Sequence, residues 1–186
     1  HNELSERNYY IRYIIADVCN YGIPHHRTRT YIIAFKDYEM CIDFHFPKEQ
    51  PLQKHIFDII NSSVKAEGKF YLKENSSQYL KIKSEINDKN QIYRFTDYGI
   101  QKSKVGVSFT LKANMGTWYN RVPIIKDDFG IRTITPKECL ALQGFPQSFD
   151  FPDISLKNMY KQCGNTVVVP FINQLSKELN NIIKHI

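Results

Sequence analysis

The chain has 186 residues, 42% of them hydrophobic and 13% aromatic, enough for one ordinary domain or for a small domain plus part of another. This composition favours a packed core over a disordered chain. No apolar run approaches the roughly 20 residues that cross a bilayer, so no membrane partner is expected. The net charge of +6 favours an anionic partner such as nucleic acid. The polar start has no signal-peptide pattern and no Met, which favours a fragment, a processed product or a trimmed chain.

The cysteines predict neither a disulfide framework nor a metal site. They form no Cys-x-x-Cys pair, and no histidine stands at zinc-ligand spacing from them. Free thiols are typical of a cytoplasmic protein, and we therefore expect a cytoplasmic location. The four residues are Cys19, Cys41, Cys139 and Cys163.

The first predicted elements are two strands, residues 9–18 and 30–35, both rich in β-branched and aromatic side chains. Gly22 and Pro24 interrupt the chain between them. Because the strands are close in sequence, we expect an antiparallel pair with a functional connection. The second run is almost entirely apolar, which predicts a strand buried on both faces.

The middle of the chain is predicted to be mixed. Residues 51–61 carry apolar side chains at helical spacing and predict a helix. From residue 69 to about 126, short strand-like runs alternate with polar turns, and residues 91–95 and 105–111 are the clearest of them.

The last part is predicted to be helical. The sequence Thr-Pro-Lys-Glu at residues 135–138 predicts a capped helix start, with Pro in the first turn, and this helix should end near Gly144. A short helix capped by Ser155 is predicted over residues 155–162. An amphipathic helix is predicted over residues 170–184.

Charge is distributed unevenly. Residues 37–68 have 3 basic and 6 acidic side chains, whereas residues 69–121 have 10 basic and 4 acidic ones, a net charge of +6. The basic segment also contains nine aromatic residues, an interleaving that suits phosphate contacts combined with stacking on bases. The alternative is a small β-rich domain with an aromatic core and a solvated lysine face. Composition alone favours this alternative, because runs of charge are usually solvated faces.

Three sequence motifs indicate the function. Residues 20–29 read Asn-Tyr-Gly-Ile-Pro-His-His-Arg-Thr-Arg, residues 132–146 contain Thr-Pro-Lys-Glu-Cys and Leu-Gln-Gly-Phe-Pro, and residues 160–170 contain Gln-Cys-Gly-Asn-Thr-Val. In this order and spacing they resemble the last three conserved motifs of the cytosine-5 DNA methyltransferase family. Residues 69–72, Lys-Phe-Tyr-Leu, resemble a weaker feature of the same family.

The resemblance implies an α/β fold: the C-terminal part of a Rossmann-like class I methyltransferase domain, with an inserted small, mostly β target-recognition domain. Residues 1–36 would end the catalytic domain with the strand pair, residues 37–129 would form the recognition domain, and residues 130–186 would supply the closing helices.

The first motif is expected to serve catalysis. In the family, its second arginine helps to bind the flipped cytosine at the ring oxygen, a role that would fall to Arg29 with Arg27 as its neighbour. The family's usual glutamine two residues before the first arginine is His25 in this chain. The alternative for either arginine is a surface salt bridge.

The second motif is expected to be architectural and the third to meet S-adenosylmethionine. The resemblance implies cofactor contacts by Asn165, Thr166 and Gly164, the glycine allowing close approach of backbone. Ala141 stands where the family usually has an arginine. The structural residues would be Arg132, Glu138, Gln143, Gly144 and Gln162.

Residues 108–119 lie where family members read bases, and Thr110 with Leu111 matches a recurrent Thr-Leu pair there. Contacts to double-stranded DNA are therefore expected from this region. The candidates are Thr110, Leu111, Lys112, Asn114, Trp118 and Arg121.

Catalytic parts of the family are missing from this sequence. The family's nucleophile is a cysteine after a proline, yet no cysteine here follows a proline, and neither the glycine-rich loop nor the Glu-Asn-Val segment is present. We therefore expect methyl transfer from S-adenosylmethionine to cytosine C5, in a bacterial restriction-modification system, only together with an N-terminal catalytic portion or subunit. A naturally split enzyme, part of a longer chain and a catalytically silent DNA-binding relative remain alternatives. An RNA cytosine methyltransferase is a weaker one.

Overall fold

The computed structural model describes residues 2–117 and 121–183, so Trp118, an expected DNA contact, lies outside the described residues. The helices in these ranges are α1 (Asn2–Glu6), α2 (Tyr38–Asp43), α3 (Ser77–Ile82), α4 (Pro136–Leu142), α5 (Leu156–Asn165) and α6 (Val169–Ile183). The strands are β1 (Tyr10–Asp17), β2 (Thr28–Phe35), β3 (Tyr93–Thr96), β4 (Gly99–Lys102), β5 (Ile124–Lys126) and β6 (Ile131–Thr133).

Strands β1 and β2 form the antiparallel pair predicted from the sequence, in a register that runs from Tyr10 opposite Phe35 to Asp17 opposite Thr28. One face of the pair packs on α6, where the Phe171 ring lies 4.6 Å from the Tyr31 ring. The amphipathic pattern predicted for the last helix is thus explained, because its apolar stripe covers this sheet face.

The opposite face of the strand pair is exposed. Tyr13, Ile15 and Ile32 project from it with 63%, 66% and 61% of their surface accessible, and we call these three side chains the outer face. The prediction that residues 30–35 are buried on both sides is therefore wrong. Side chains alternate along a strand, and within the described residues only one side has a covering layer.

A second sheet contains four strands in the order β4-β3-β5-β6, all antiparallel. β6 lies beyond residue 129 and pairs with β5 before it, so this sheet includes strands on both sides of that position. Three of its strand residues, Tyr93, Ile124 and Ile131, form a hydrophobic core with Ile82 and Ile86.

Two predicted elements are wrong. Residues 51–61 contain only a 3-10 turn, Ile56–Asp58, because the Ile56 amide donates to the Gly106 carbonyl at 2.9 Å and not to a helical partner. Residues 105–111 form no strand, since Gly106 has a φ of +75° and breaks the extended run. A Cβ at Gly106 would lie 2.5 Å from the His55 ring, so this contact requires glycine.

The closing helices are confirmed. Thr135 and Glu138 form the predicted capping box at the start of α4, and Ser155 caps α5. α5 continues to Asn165, three residues beyond its predicted end. None of the helices in the described ranges has the length and apolar character that crossing a bilayer requires.

Candidate functional site

Arg27 joins the first motif to the third motif and to the segment expected to read bases. Its side chain is 4% exposed and donates to three backbone carbonyls: Leu111 at 3.2 Å, Gly164 at 3.0 Å and Thr166 at 2.6 Å. Burial lowers the pKa of its guanidinium, and the nearby Arg29 lowers it further. The planar guanidinium suits this task because its several donors are held in a fixed geometry.

His25 binds the same segment at the Leu111 amide, whereas Arg27 binds the Leu111 carbonyl. The Leu111 amide donates to His25 Nε2 at 3.2 Å, and the bridge between His25 and Ser108 adds backbone hydrogen bonds. Burial, followed by the charge of Arg27, lowers the pKa of His25 to about 3, so the ring is neutral and can accept this bond. Both polar backbone groups of Leu111 are thus bound by the first motif.

The Leu111 side chain is fully buried, in the core that also contains Ile125 and Leu140. The expectation that this side chain contacts DNA is therefore wrong. Moving this apolar side chain out of the core would expose its surface to water, which is unfavourable. Its burial holds in place the backbone of the neighbouring Thr110 and Lys112.

Gly164 lies against the same segment. A Cβ at this position would come within 2.3 Å of the Ala113 nitrogen and of the Lys112 carbonyl carbon. The close backbone approach expected at Gly164 is thus made by the chain itself, and this side of the glycine has no room for a cofactor. We call the group of His25, Arg27, Leu111, Gly164 and Thr166 the motif junction.

Arg29 differs from Arg27 although both belong to one motif. It stands opposite Ala16 in the strand pair, its side chain is exposed, and Nη1 donates to the neighbouring Thr28 carbonyl at 2.7 Å. Within the described part of the chain it forms no salt bridge with a carboxylate, so its guanidinium is available to a ligand at the start of β2.

Asn165 and Thr166 border an open pocket of about 440 Å³ next to α5. The lining residues are Ile154, Asn158, Lys161, Gln162, Asn165 and Thr166. Gln162, expected to be structural, has an exposed side chain there, and its carbonyl accepts from the Thr166 amide at 3.0 Å. The polar lining fits a polar ligand. The Thr166 carbonyl already accepts a hydrogen bond from Arg27, so the side chain of Thr166 is the group left to contact such a ligand.

The second motif centres on Arg132, which is 1% exposed. Its Nε donates to Asp127 at 2.6 Å, and its two terminal nitrogens donate to both Glu138 oxygens at 2.8 and 2.7 Å. Burial lowers the pKa of Arg132, but the two carboxylates outweigh it and the net shift is upward. Glu138 therefore both caps α4 and binds Arg132, which ties that helix to β6.

Asp127 was missed by the sequence analysis. It is 2% exposed and accepts hydrogen bonds from Arg132 and from the Tyr71 hydroxyl, the latter at 2.8 Å. The sequence feature that could have indicated Asp127 is the Asp-Asp-Phe-Gly turn before β6. Asp127 Oδ1 accepts hydrogen bonds from the Phe129 and Gly130 amides in this turn.

Gln143 and Gly144 connect the closing helices. The Gln143 side-chain amide donates to the Cys163 carbonyl of α5 at 2.7 Å. Gly144 has a φ of +79°, and a Cβ there would lie 2.4 Å from the Pro170 ring, so only glycine fits between α4 and α6. The cysteines form no disulfides, and Cys41, Cys139 and Cys163 are buried.

Four of the expected DNA contacts border one polar cleft of about 450 Å³, whose other wall is the β3–β4 hairpin. These four are Thr110, Lys112, Asn114 and Arg121. Two of the four are cationic, which suits a phosphate-bearing ligand. No three His, Cys, Asp or Glu side chains are grouped to hold a metal ion in the part of the chain that the structure describes.

The model of the C-5 cytosine-specific DNA methylase family matches residues 1–181. The chain belongs to this family. Among its curated relatives, the type II methyltransferase M.Bsp6I of Bacillus sp. (strain RFL6) is 37% identical over 95% of this chain and 56% of the relative. The type II methyltransferase M.MspI of Moraxella sp. is 30% identical over 97% of this chain and 40% of the relative. The chain thus spans about half the length of these methylases.

Solved structures confirm the predicted α/β methyltransferase fold. The Entamoeba histolytica methyltransferase EhMeth superposes with a TM-score of 0.71 over 98% of this chain and 57% of that chain, at 19% identity. A mutant of Spodoptera frugiperda DNMT2 superposes with a TM-score of 0.70 over 96% of this chain and 60% of that chain, also at 19% identity. The motif junction is therefore set in a Rossmann-like class I methyltransferase fold.

Proposed function

We propose that the chain is the recognition and cofactor-completing part of a bacterial DNA cytosine-5 methyltransferase. It would act in a restriction-modification system, in the cytoplasm, and methyl groups would pass from S-adenosylmethionine to C5 of a cytosine at a specific DNA site. The motif junction carries this proposal, because the single side chain of Arg27 bonds both to the recognition segment and to the third motif.

The proposed division keeps residues 1–36 and 130–186 in the catalytic domain and residues 37–129 in the recognition domain. The polar cleft supports a DNA-facing role for the second region, since Lys112 and Arg121 border it together with Thr110 and Asn114. Phosphate contacts would position the duplex, and contacts to base edges would specify the sequence.

In the proposed site, Arg29 would contact the flipped cytosine. Its exposed guanidinium supports this role, because a fixed fork of donors can bond a ring oxygen without disturbing the buried Arg27 beside it. S-adenosylmethionine supplies the methyl group when bound. Asn165 and Thr166 would hold its polar groups from the pocket next to α5.

The proposed partner is the catalytic portion that carries the Pro-Cys nucleophile, as a separate subunit or as part of a longer chain. The outer face supports such a partner, because Tyr13, Ile15 and Ile32 expose apolar surface side by side on one sheet. Scattered exposed hydrophobic residues are ordinary, whereas a contiguous patch favours an interaction site.

The test measures transfer of tritiated methyl groups from S-adenosylmethionine to duplex DNA. The chain alone should transfer none, because no cysteine in it follows a proline. Adding the part of M.Bsp6I that this chain does not match should produce transfer, since the family's Pro-Cys nucleophile is expected there. Replacing that cysteine by serine should abolish the transfer.

Three results would contradict the proposal. Turnover by the chain alone would show that it is a complete catalyst. Specific duplex binding without transfer in any mixture would favour the catalytically silent relative. Transfer to RNA in a parallel assay, with none to DNA, would favour the RNA cytosine methyltransferase.

A further inference from the structure

The hairpin of β3 and β4 forms the second wall of the polar cleft, and none of the residues expected to contact DNA lies on it. Thr96 pairs with Gly99, so the connecting turn consists of Asp97 and Tyr98 alone. The Thr96 hydroxyl accepts from the Tyr98 amide at 3.2 Å and donates to the Gly99 carbonyl at 3.0 Å. These bonds close the turn at the tip of the hairpin.

Arg94 holds the base of the hairpin against the recognition segment. Its Nε donates to Gln101 on the facing strand at 2.8 Å, and its guanidinium carbon lies 4.5 Å from the centre of the Phe109 ring. The hairpin and the segment that carries Thr110 and Lys112 are thus joined as two walls of one cleft.

The tip combines features that a solvated turn does not require. The Tyr98 side chain is fully accessible, at 101% of its reference surface. Asp97 also borders the cleft, among the cations Arg94, Lys112 and Arg121, and it forms no ion pair within the described residues. A carboxylate on a phosphate-facing surface weakens binding unless it meets a hydrogen-bond donor, and the exposed amino groups of bases are such donors.

We propose that this hairpin tip is a base-reading element that enters the major groove, an inference that rests on the proposed DNA methyltransferase function. The major groove admits a two-stranded β-ribbon, and a carboxylate there accepts from the amino group of cytosine. Asp97 reads a cytosine in this way, and the Tyr98 ring packs on the neighbouring base edge. Arg94 and Lys112 bind the flanking phosphates.

The test is selection from a random duplex library by the purified chain, followed by sequencing, for the wild type and for Asp97→Asn and Tyr98→Ala. Asp97→Asn should reduce the preference for cytosine at one position by about 5- to 150-fold and shift it towards adenine, which asparagine recognises. Tyr98→Ala should weaken binding to the selected site by about 5-fold or more. Binding of both variants to unrelated duplex should not fall.

Two controls separate base reading from folding and charge. Asp43→Asn removes an exposed carboxylate at the end of α2, which packs on β1, β2 and α6 and not on the cleft, and it should select the wild-type sequence. Tyr98→Phe keeps the ring and should bind as the wild type does. A thermal melt of each variant should match that of the wild type, since the changed side chains are exposed.

The inference and the proposed function fail in different ways. A wild-type chain that selects a sequence retained by both Asp97→Asn and Tyr98→Ala, with unchanged affinity, overturns the inference alone. A wild-type chain that selects no sequence overturns the recognition role and the inference with it.

Discussion

Residues 13–32 contribute side chains both to the motif junction and to the outer face of the strand pair. The two regions differ in how far this chain buries and hydrogen-bonds those side chains. At the junction, Arg27 is 4% exposed and each carbonyl it meets receives a donor. On the outer face, Ile15 and Ile32 are 66% and 61% exposed, with no covering layer among the described residues.

The difference shows which contacts the chain completes by itself. Hydrogen bonds in the junction connect segments 84 to 139 positions apart in this one sequence, so the junction depends only on this chain being folded. The outer face has the apolar composition of a buried layer, but no other layer covers it among the described residues. Its side chains contribute little to the free energy of unfolding until another surface removes them from water.

The largest effect is expected at the junction. Arg27→Met leaves the Leu111, Gly164 and Thr166 carbonyls without their donor, and at about 1–3 kcal/mol for each unsatisfied buried group the unfolding free energy should fall by roughly 3 kcal/mol or more. Urea unfolding followed by circular dichroism measures this. Arg29→Met is the matched control, and its exposed position should keep the change within about 0.5 kcal/mol. Equal losses of unfolding free energy in the two variants would show that the three hydrogen bonds of Arg27 do not stabilise the junction.

A smaller effect should distinguish the two faces of β2. Ile33 packs in the core that contains Phe35 and Leu175, so Ile33→Thr should cost about 1–2 kcal/mol, whereas Ile32→Thr on the outer face should change the unfolding free energy by less than about 0.5 kcal/mol. Chemical denaturation of the two variants compares them directly. If the proposed catalytic portion binds the outer face, Ile32→Thr should instead weaken that association, measured by calorimetry. A loss of stability as large as that of Ile33→Thr would show that the outer face is covered.

The smallest effect is expected from the pH dependence of the junction. The folded pKa of His25 is about 3, below its ordinary value of 6.5, so the unfolded chain takes up a proton as pH falls through 6.5 while the folded chain does not. Stability is therefore lost between pH 6.5 and 3, and from pH 7.5 to 5.5 this residue should cost about 1 kcal/mol. Arg27, Arg29 and His26 act on the ring in the same direction as burial, whereas Asp17 opposes them.

His25→Gln tests this assignment, because glutamine keeps an acceptor for the Leu111 amide and does not titrate. Unfolding free energies at pH 7.5 and 5.5 should differ less in this variant than in the wild type. His45→Gln changes an exposed histidine and should retain the wild-type pH dependence. If His25→Gln is as acid-sensitive as the wild type, protonation of His25 is not what destabilises the junction.

The sequence by itself determined the family, the strand pair and the closing helices. Motif residues and helix caps are local in sequence, and Thr135 with Glu138 forms its capping box from side chains three positions apart. The strand pair could be predicted because two runs of β-branched and aromatic residues are separated by a short connection, which favours an antiparallel pair. The helix expected at residues 51–61 failed for the opposite reason, since the Ile56 amide bonds to Gly106, 50 positions away.

Only the tertiary structure decided what individual motif residues do. Arg27 and Arg29 are two positions apart with the same chemistry, yet one is buried among carbonyls of distant segments and the other is exposed. Contacts between distant segments also decide that Leu111 is a core residue and that Gly164 packs against the Lys112–Ala113 backbone. The burial of a residue and its hydrogen-bond partners depend on which distant segments pack together, and a local sequence pattern does not specify that packing.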